Sequence, residues 1–225
     1  VLMVCGMPIG FSLLLGSLAY FLSADASLNI IVQKMAMTVG DSFSMMAVPF
    51  FMFAGAVMNH SGITGQIFGF ADKLVGHIRG GMGHANILAS VIFAGMSGSA
   101  IADTGGLGAI ELKAMKDAGY DDDFSLAITG ASSCIGPVIP PSVPFVMYGV
   151  IAGVPIGALF MAGVVPGLCM ALAMAIVVWY QAKNRGYEPH ARAGIREIGH
   201  SFVHSFWGLL APVILIGGIV TGVCT

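Results

Sequence analysis

The stretch Phe93-Ala-Gly-Met-Ser-Gly-Ser-Ala-Ile-Ala-Asp-Thr-Gly-Gly-Leu-Gly108 places serines, glycines and one carboxylate inside an otherwise apolar chain. Further along, Cys134-Ile-Gly-Pro-Val-Ile-Pro-Pro-Ser-Val-Pro144 adds four prolines to another apolar run. Each segment interrupts what would otherwise be a membrane helix. Such a break is tolerated at membrane depth only where protein or a water-filled cavity satisfies the freed backbone groups. Two breaks of this kind predict ion and substrate sites near the bilayer midplane, as in secondary transporters.

The composition favours a membrane protein over a soluble domain. The chain is 57% hydrophobic and 9% charged, whereas soluble domains carry roughly 25% charged residues. Its mean hydropathy is +0.91, so the lipid bilayer is the expected solvent. The net charge of -2 gives no basic field for nucleic acid. The four cysteines lack paired spacing, and His200 and His204 lack further ligands nearby, so no transition-metal site is expected.

We predict an all-α integral membrane protein that contains a re-entrant hairpin and a proline-broken helix. Residues 1–78 would be scaffold and arm helices, including an amphipathic helix over Ile63–Ile78, and 80–123 the hairpin. Residues 124–182 would hold the broken helix and the next span of the transport domain. Residues 183–225 would be a cytoplasmic connector and the start of another scaffold helix. Uninterrupted spans are expected at about Leu2–Leu22, Phe43–Met58 and Ile156–Gln181, and from near Phe202, with a mixed connector over Ser23–Asp41.

The hairpin prediction depends on length and on charge. Asn86–Met96 is too short to cross about 30 Å of hydrocarbon at about 1.5 Å per residue. The small-residue tip Ser97–Ala100 follows, and the returning helix becomes polar by Glu111. A hairpin places eight basic residues on one side, predicted to be cytoplasmic, and only Lys34 on the other. The eight are Lys73, Arg79, Lys113, Lys116, Lys183, Arg185, Arg192 and Arg196.

The hairpin tip combines helix ends with hydroxyl groups. Helix ends leave N–H and C=O groups unpaired, and Ser97 and Ser99 add hydroxyls. Asp103 is the one carboxylate expected in this region, where a charge costs roughly 2.5–3.5 kcal/mol. It either lines a polar site or caps the returning helix by accepting from the N–H of Gly105 or Gly106. The small residues are equally consistent with close helix packing. Beyond the hairpin, Asp121–Asp123 are expected to cap the next helix.

The second break follows from the chemistry of proline. Proline has no N–H to donate to the carbonyl four residues earlier. The four prolines therefore release the carbonyls of Ser133, Gly136, Pro137 and Pro140. Freed carbonyls together with hydroxyls form an all-oxygen shell suited to a hard monovalent cation such as Na⁺. A simple proline kink is the alternative.

Several segments resemble the large membrane subunit of tripartite ATP-independent periplasmic (TRAP) transporters. The segments Gly95–Thr104 and Ile135–Phe145 are similar to its signature, and Val48–Gly55 and Gly217–Gly222 also match. The resemblance implies one repeat of an inverted-repeat elevator transporter in the bacterial inner membrane. It also implies Na⁺ coupling, a small membrane subunit and a periplasmic binding protein that delivers an organic acid. A second repeat is expected to be missing from this chain.

In the family, sodium lies between the hairpin tip and the broken helix. The resemblance places the sodium ligands at Ser97, Gly98, Ser99, Asp103, Gly136, Ile139, Pro141 and Ser142. Candidates for the substrate site are Ser99, Ser132, Ser133 and Pro140.

Two other functions fit parts of the sequence. A passive ion channel would explain both breaks but not the resemblance. Gly95-Met-Ser-Gly98 is also the pattern of rhomboid intramembrane serine proteases, with Ser97 as nucleophile. That chemistry needs a histidine base at membrane depth, and all six histidines fall at span ends or in polar stretches. We therefore expect a transporter and not an enzyme.

The orientation can be tested with single cysteines in a cysteine-free background of the full-length protein. Lys116→Cys and Arg192→Cys should react with an impermeant maleimide only after the cytoplasmic face is opened. Ser27→Cys should react from the outside. Labelling of the first two positions from opposite faces would eliminate the hairpin, because the charge distribution depends on it.

Overall fold

The computed structural model describes every residue except 1–2, 4–5, 25–26, 41–42, 188 and 222–225. Leu2 and Asp41, which bound two of the predicted segments, and the end of the closing Gly217–Gly222 motif therefore lie outside the described residues. The chain forms two compact units, residues 1–46 and 47–225.

The first unit contains α1 (Ile9–Ser23), α2 (Asn29–Gly40) and the start of α3 (Phe43–His60). Pro8 occupies the N-cap position of α1, where a missing N–H costs little. Most of the predicted connector over Ser23–Asp41 is helical in the structure. Its apolar residues, such as Ile30 and Ile31, lie in α2.

The second unit contains the remainder of α3 and all later elements. Over the described residues these are α4 (Ile63–Val75), α5 (Gly81–Ser97), α6 (Ala100–Ala102), a π-turn (Asp103–Leu107), α7 (Gly108–Asp117), α8 (Asp122–Ser133), α9 (Val143–Ala152), α10 (Ile156–Arg185) and α11 (Ile195–Val220). By length and composition, two of the described helices, α10 and Ile195–Gly218 of α11, could cross a membrane.

The chain from α5 to α7 doubles back on itself. At its start, a Cβ on Gly83 would lie 2.8 Å from the Val178 side chain on α10. At its end, the ring of Tyr120 stacks on Tyr187, just beyond α10, with centroids 4.1 Å apart. Both ends of the segment therefore meet the same end of α10. The helix α8 then packs against both arms and fills the space beside them.

A polar clamp holds the base of this hairpin. The Tyr187 hydroxyl donates to the Asp121 carboxylate at 2.8 Å, and Arg185 pairs with the same carboxylate. Two hydrogen bonds hold the pKa of the Asp121 carboxyl below its ordinary value, and the one from Tyr187 has a larger effect than the one from Arg185. Asp121 occupies the N-cap position of α8, but its side chain makes no capping bond. The predicted capping role of the Asp121 side chain is wrong, because Arg185 of α10 and the Tyr187 hydroxyl just beyond it bind the carboxylate instead. Asp122 and Asp123 do lie in the first turn of α8, where negative charge stabilises a helix.

The last helix begins at Ile195, well before the predicted start near Phe202. The N–H of Gly194 donates to the Glu197 carboxylate at 3.4 Å. A glutamate in the first turn that reaches back in this way stabilises a helix start, so part of the predicted polar connector is helical. Further along, α11 packs on α4, where the Ser205 hydroxyl donates to the carbonyl of Gln66 at 2.9 Å.

The crossing of α5 and α11 predicts a matched pair of substitutions. A Cβ on Gly95 would lie 2.6 Å from the Cβ of Pro212. Gly95→Ala should destabilise the full-length protein by about 1–3 kcal/mol through overpacking. Gly130→Ala, also inside a helix but with nothing within 4 Å, should not. Thermal melting in detergent measures both, and equal melting temperatures would contradict this packing.

Candidate ion and substrate site

The hairpin tip meets the proline-rich break directly. Gly98 ends α5 in the left-handed conformation, with φ of 60°. A Cβ at this position would collide with the carbonyl oxygen of Pro141. The N–H of Val143 donates to the carbonyl of Gly98 at 3.3 Å. The absence of a side chain at Gly98 therefore lets the two backbones touch, as glycine does at other close approaches.

A second contact joins the tip to the break one residue further on. A Cβ on Gly136 would lie 3.2 Å from the carbonyl carbon of Ser99 and 3.3 Å from its oxygen. The Ser99 hydroxyl accepts a hydrogen bond from the N–H of Ala102 at 3.4 Å and so caps α6. The structure thus brings together Gly98 and Ser99 of the tip with Gly136 and Pro141 of the break.

The carbonyls released by the prolines fall into two groups. The Ser133 carbonyl accepts from the N–H of Gly136 at 3.1 Å, and the Pro137 carbonyl accepts from the Ser142 hydroxyl. No described residue donates to the carbonyls of Gly136 and Pro140. Two of the four carbonyls predicted to be free are therefore paired, and two remain available as ligands.

Ser142 organises the second half of the break. Besides donating to Pro137, its hydroxyl accepts from the N–H of Phe145 at 3.3 Å and caps α9. Pro144 stands in the first turn of that helix, where proline is tolerated. The Ser142 side chain is fully buried. Its hydroxyl is thus already engaged twice, which leaves one lone pair for an ion.

The other predicted sodium ligands differ in their surroundings. Ser97 is 1% exposed, and its hydroxyl has no hydrogen-bond partner among the described residues. It lies against α3, because a Cβ on Gly55 would be 3.6 Å from the Cβ of Ser97. The Ile139 side chain packs against Gly167 of α10. Only the backbone of Ile139 could therefore serve an ion.

Asp103 is fully buried and does not act as a cap. The hydroxyls of Ser90 and Ser133 face its carboxylate, but neither carboxylate oxygen makes a hydrogen bond of normal geometry with a described residue. The predicted alternative of a bond to Gly105 or Gly106 is therefore wrong. The π-turn that begins at Asp103 explains this, since it gives the returning arm continuous backbone bonding at this point.

A second buried carboxylate escaped the sequence reading. Glu111 is 0% exposed, and neither of its carboxylate oxygens has a partner among the described residues. The sequence pattern placed Glu111 where the returning arm becomes polar, because Lys113 follows closely. Lys113 is exposed in the structure, whereas Glu111, on the same helix, is buried. Asp103 is therefore not the only carboxylate in this region.

The candidate substrate residues on α8 are engaged with the protein itself. The Ser132 hydroxyl donates to the Asn86 side chain at 2.7 Å, and the Ser133 hydroxyl donates to the Thr129 carbonyl at 2.8 Å. Asn86 also donates to the Thr129 hydroxyl at 2.8 Å. Ser132 and Ser133 are buried, and so is Pro140.

The geometry gives no support to a serine protease. Such an enzyme needs a histidine within hydrogen-bond reach of the nucleophile. Over the part of the chain that the structure describes, the Ser97 hydroxyl has no partner at all.

Comparison with known proteins identifies the family. The model for "Tripartite ATP-independent periplasmic transporter, DctM component" matches residues 1–225. The sialic acid TRAP transporter large permease protein SiaM of Vibrio cholerae is 49% identical over 98% of this chain and 52% of its own length. The 2,3-diketo-L-gulonate TRAP transporter large permease protein YiaN of Escherichia coli is 40% identical over 98% of this chain and 52% of its own length. The C4-dicarboxylate TRAP transporter large permease protein DctM of Rhodobacter capsulatus is 35% identical over 100% of this chain and 54% of its own length. The chain spans about half the length of these relatives.

Two glycines with positive φ test the contact between tip and break. Gly98→Ala and Gly153→Ala share the backbone strain, since their φ values are 60° and 67°. Only Gly98 lies against another backbone, because nothing stands within 4 Å of a Cβ on Gly153. Gly98→Ala should therefore cost about 1–3 kcal/mol more in stability. Thermal melting of the full-length variants measures the difference, and an equal loss in both would mean that the tip does not touch the break.

Proposed function

The chain belongs to the DctM family of TRAP transporter components, and we propose that its full-length protein is the permease of a Na⁺-coupled importer for organic acids. It works in the bacterial inner membrane as a multi-pass protein. The hairpin and the broken helix belong to a transport domain that carries ion and solute across the bilayer as an elevator. This chain supplies one of the two repeats, and the other contributes the rest of the substrate site.

The contact between the hairpin tip and the break is the observation that carries the proposal. Two helix ends and two unpaired carbonyls, those of Gly136 and Pro140, meet in a buried place. Ser97 and Ser99 of the tip and Ser142 of the break carry further hydroxyl oxygens in the same two segments. Such a set of neutral oxygens suits a weakly charged, hard ion, because discontinuous membrane helices bind Na⁺ in this way. Na⁺ is therefore the proposed coupling ion.

The names of the relatives support an organic acid as the solute. Sialic acid, 2,3-diketo-L-gulonate and C4-dicarboxylates all carry a carboxylate. Family membership further supports a small membrane subunit and a periplasmic binding protein as partners. No Lys or Arg lies between Lys116 and Lys183, so the break contains no basic side chain to pair with the solute. The positive charge that pairs with the solute carboxylate would come from helix dipoles or from the second repeat.

Removal of the Ser99 hydroxyl tests the sodium site. Ser99→Ala should raise the half-saturating Na⁺ concentration of uptake roughly 10- to 150-fold, the cost of about 1.5–3 kcal/mol for one ligand to a charge. Thr104→Ala is the matched control, because the Thr104 hydroxyl is exposed and bonds only to the carbonyl of Ala100, four residues earlier in the chain. The measurement is solute uptake by the complete assembly in proteoliposomes. Unchanged Na⁺ dependence of Ser99→Ala would place the ion elsewhere.

A substitution in the break tests the same site from the other side. Pro141→Ala should weaken Na⁺ dependence more than Ser99→Ala does, because alanine frees the backbone dihedral that proline fixes next to the Pro140 carbonyl, one of the two proposed carbonyl ligands. Pro166→Ala is the control, since Pro166 lies inside the continuous helix α10. Uptake at varied Na⁺ is again the readout, with expression and insertion checked in parallel. If both proline variants behave alike, the break is only a packing feature.

A further inference from the structure

A buried amide joins three helices of the second unit. Asn86 of α5, the first arm of the hairpin, donates to the Thr129 hydroxyl at 2.8 Å and accepts from the Ser132 hydroxyl at 2.7 Å. Both partners lie on α8. The Asn86 amide nitrogen also lies 3.9 Å from the sulfur of Met115 on α7, the returning arm. All four side chains are buried, so these contacts specify one arrangement of the three helices.

The spacing of the two partners fixes how α8 stands against α5. Thr129 and Ser132 are three residues apart and therefore share one face of α8. A shift of α8 by one residue would present Ile128 and Ala131 to the amide, and neither has a polar side chain. A shift the other way would present Gly130 in place of Thr129, with no side chain at all. Of these registers, only the observed one satisfies both polar atoms of the amide, and a buried polar atom without a partner is unfavourable.

Ser132 also begins the break through its backbone. Its carbonyl accepts from the N–H of Ile135 at 2.9 Å, and the next carbonyl, that of Ser133, accepts from the N–H of Gly136 at 3.1 Å. The carbonyl of Gly136 is one of the two unpaired carbonyls proposed as Na⁺ ligands, and Gly136 lies against the backbone of Ser99. A displacement of Ser132 therefore reaches a proposed ligand through one short turn.

The helix that carries Asn86 also ends in the hairpin tip. It runs without interruption from Gly81 to Ser97, and Asn86 lies in its second turn. At its far end, Gly98 meets the carbonyl of Pro141. The helices α5 and α8 are thus joined at two places, by the hydrogen bonds of Asn86 and by the contact between tip and break. The register set at the first place decides which carbonyls face the tip at the second.

We propose that Asn86 is a positioning residue for the coupling ion. Through Thr129 and Ser132 it sets the register of α8, and thereby the place of the Gly136 carbonyl opposite the tip. Asn86 itself contacts neither ion nor solute. The inference rests on the proposed function, because the register serves a Na⁺ ion between tip and break. Outer groups that orient ligands in this way typically change metal affinity about 10- to 100-fold when they are removed.

Removal of one hydroxyl at a time tests the inference in the full-length permease assembled with its partners. Ser132→Ala and Ser125→Ala are a matched pair, because both serines are buried on α8. The Ser125 hydroxyl donates only to the Asp121 carbonyl one turn earlier, whereas that of Ser132 also reaches Asn86 on another helix. Ser132→Ala should raise the half-saturating Na⁺ concentration of solute uptake about tenfold, and Ser125→Ala should leave it unchanged.

Thr129→Val tests the other bond without touching a candidate solute residue. Valine keeps the branched shape and removes the hydroxyl that accepts from Asn86. The same rise in half-saturating Na⁺ is expected, while saturating Na⁺ restores the maximal uptake rate and the half-saturating solute concentration. In an Asn86→Ala background, Ser132→Ala should have no further effect, because its partner is already absent. Melting temperatures in choline chloride show whether each variant is folded.

The outcomes separate this inference from the proposed function. A role in packing alone would lower the melting temperature of Thr129→Val and leave its Na⁺ dependence unchanged, which would overturn the inference. A changed half-saturating solute concentration for Ser132→Ala, with unchanged Na⁺ dependence, would also overturn it and make Ser132 a solute ligand. In both cases Ser99→Ala still shifts the Na⁺ dependence if the proposed function is right. Uptake by the parent without any need for Na⁺ would contradict both.

Discussion

An apolar chain can interrupt its helices only where the freed backbone groups find partners, and here two interruptions supply partners to each other. The Gly98 carbonyl receives the N–H of Val143, and the Ser99 backbone lies against Gly136. One backbone hydrogen bond and one close backbone contact therefore join the two breaks. The chain doubles back between α5 and α7, and α8 packs against both arms. This arrangement brings the two segments together. The Asp121 clamp at the base and the glycine at the tip fix the two ends of that arrangement.

The breaks themselves could be read from the sequence because their causes are local. Proline lacks an N–H wherever it stands, so four prolines within eight residues predicted a break, whereas the single Pro166 lies inside a continuous helix. Small residues at Ser97–Ala100 likewise marked a tip. The family could be recognised from the same segments, since they are long and occur in order.

What could not be read depends on residues far apart in the chain. Asp121 meets Arg185 and Tyr187 only in the folded protein, so a local rule assigned it to a cap. Glu111 looked like the start of a polar segment because Lys113 follows it. The π-turn that precedes Glu111 in the returning arm was not indicated by any sequence pattern either. The pairing of Ser142 with the Pro137 carbonyl was missed for a similar reason, because a side chain can fold back on a carbonyl that proline has released.

Two kinds of oxygen cluster now lie along the same helices. Neutral carbonyls and hydroxyls lie at the tip and the break, while two buried carboxyl groups, those of Asp103 and Glu111, lie along the returning arm. Ser133 stands beside both, since its carbonyl accepts from Gly136 and its side chain faces Asp103.

The central claim is that Na⁺ lies between the hairpin tip and the break. A high-resolution density map of the complete transporter, prepared once in NaCl and once in choline chloride, tests it most directly. The account predicts an isolated peak in Na⁺ among the Ser99 hydroxyl and the carbonyls of Gly136 and Pro140, absent in choline. A map in which that space is empty in Na⁺, or equally filled in both salts, would contradict it.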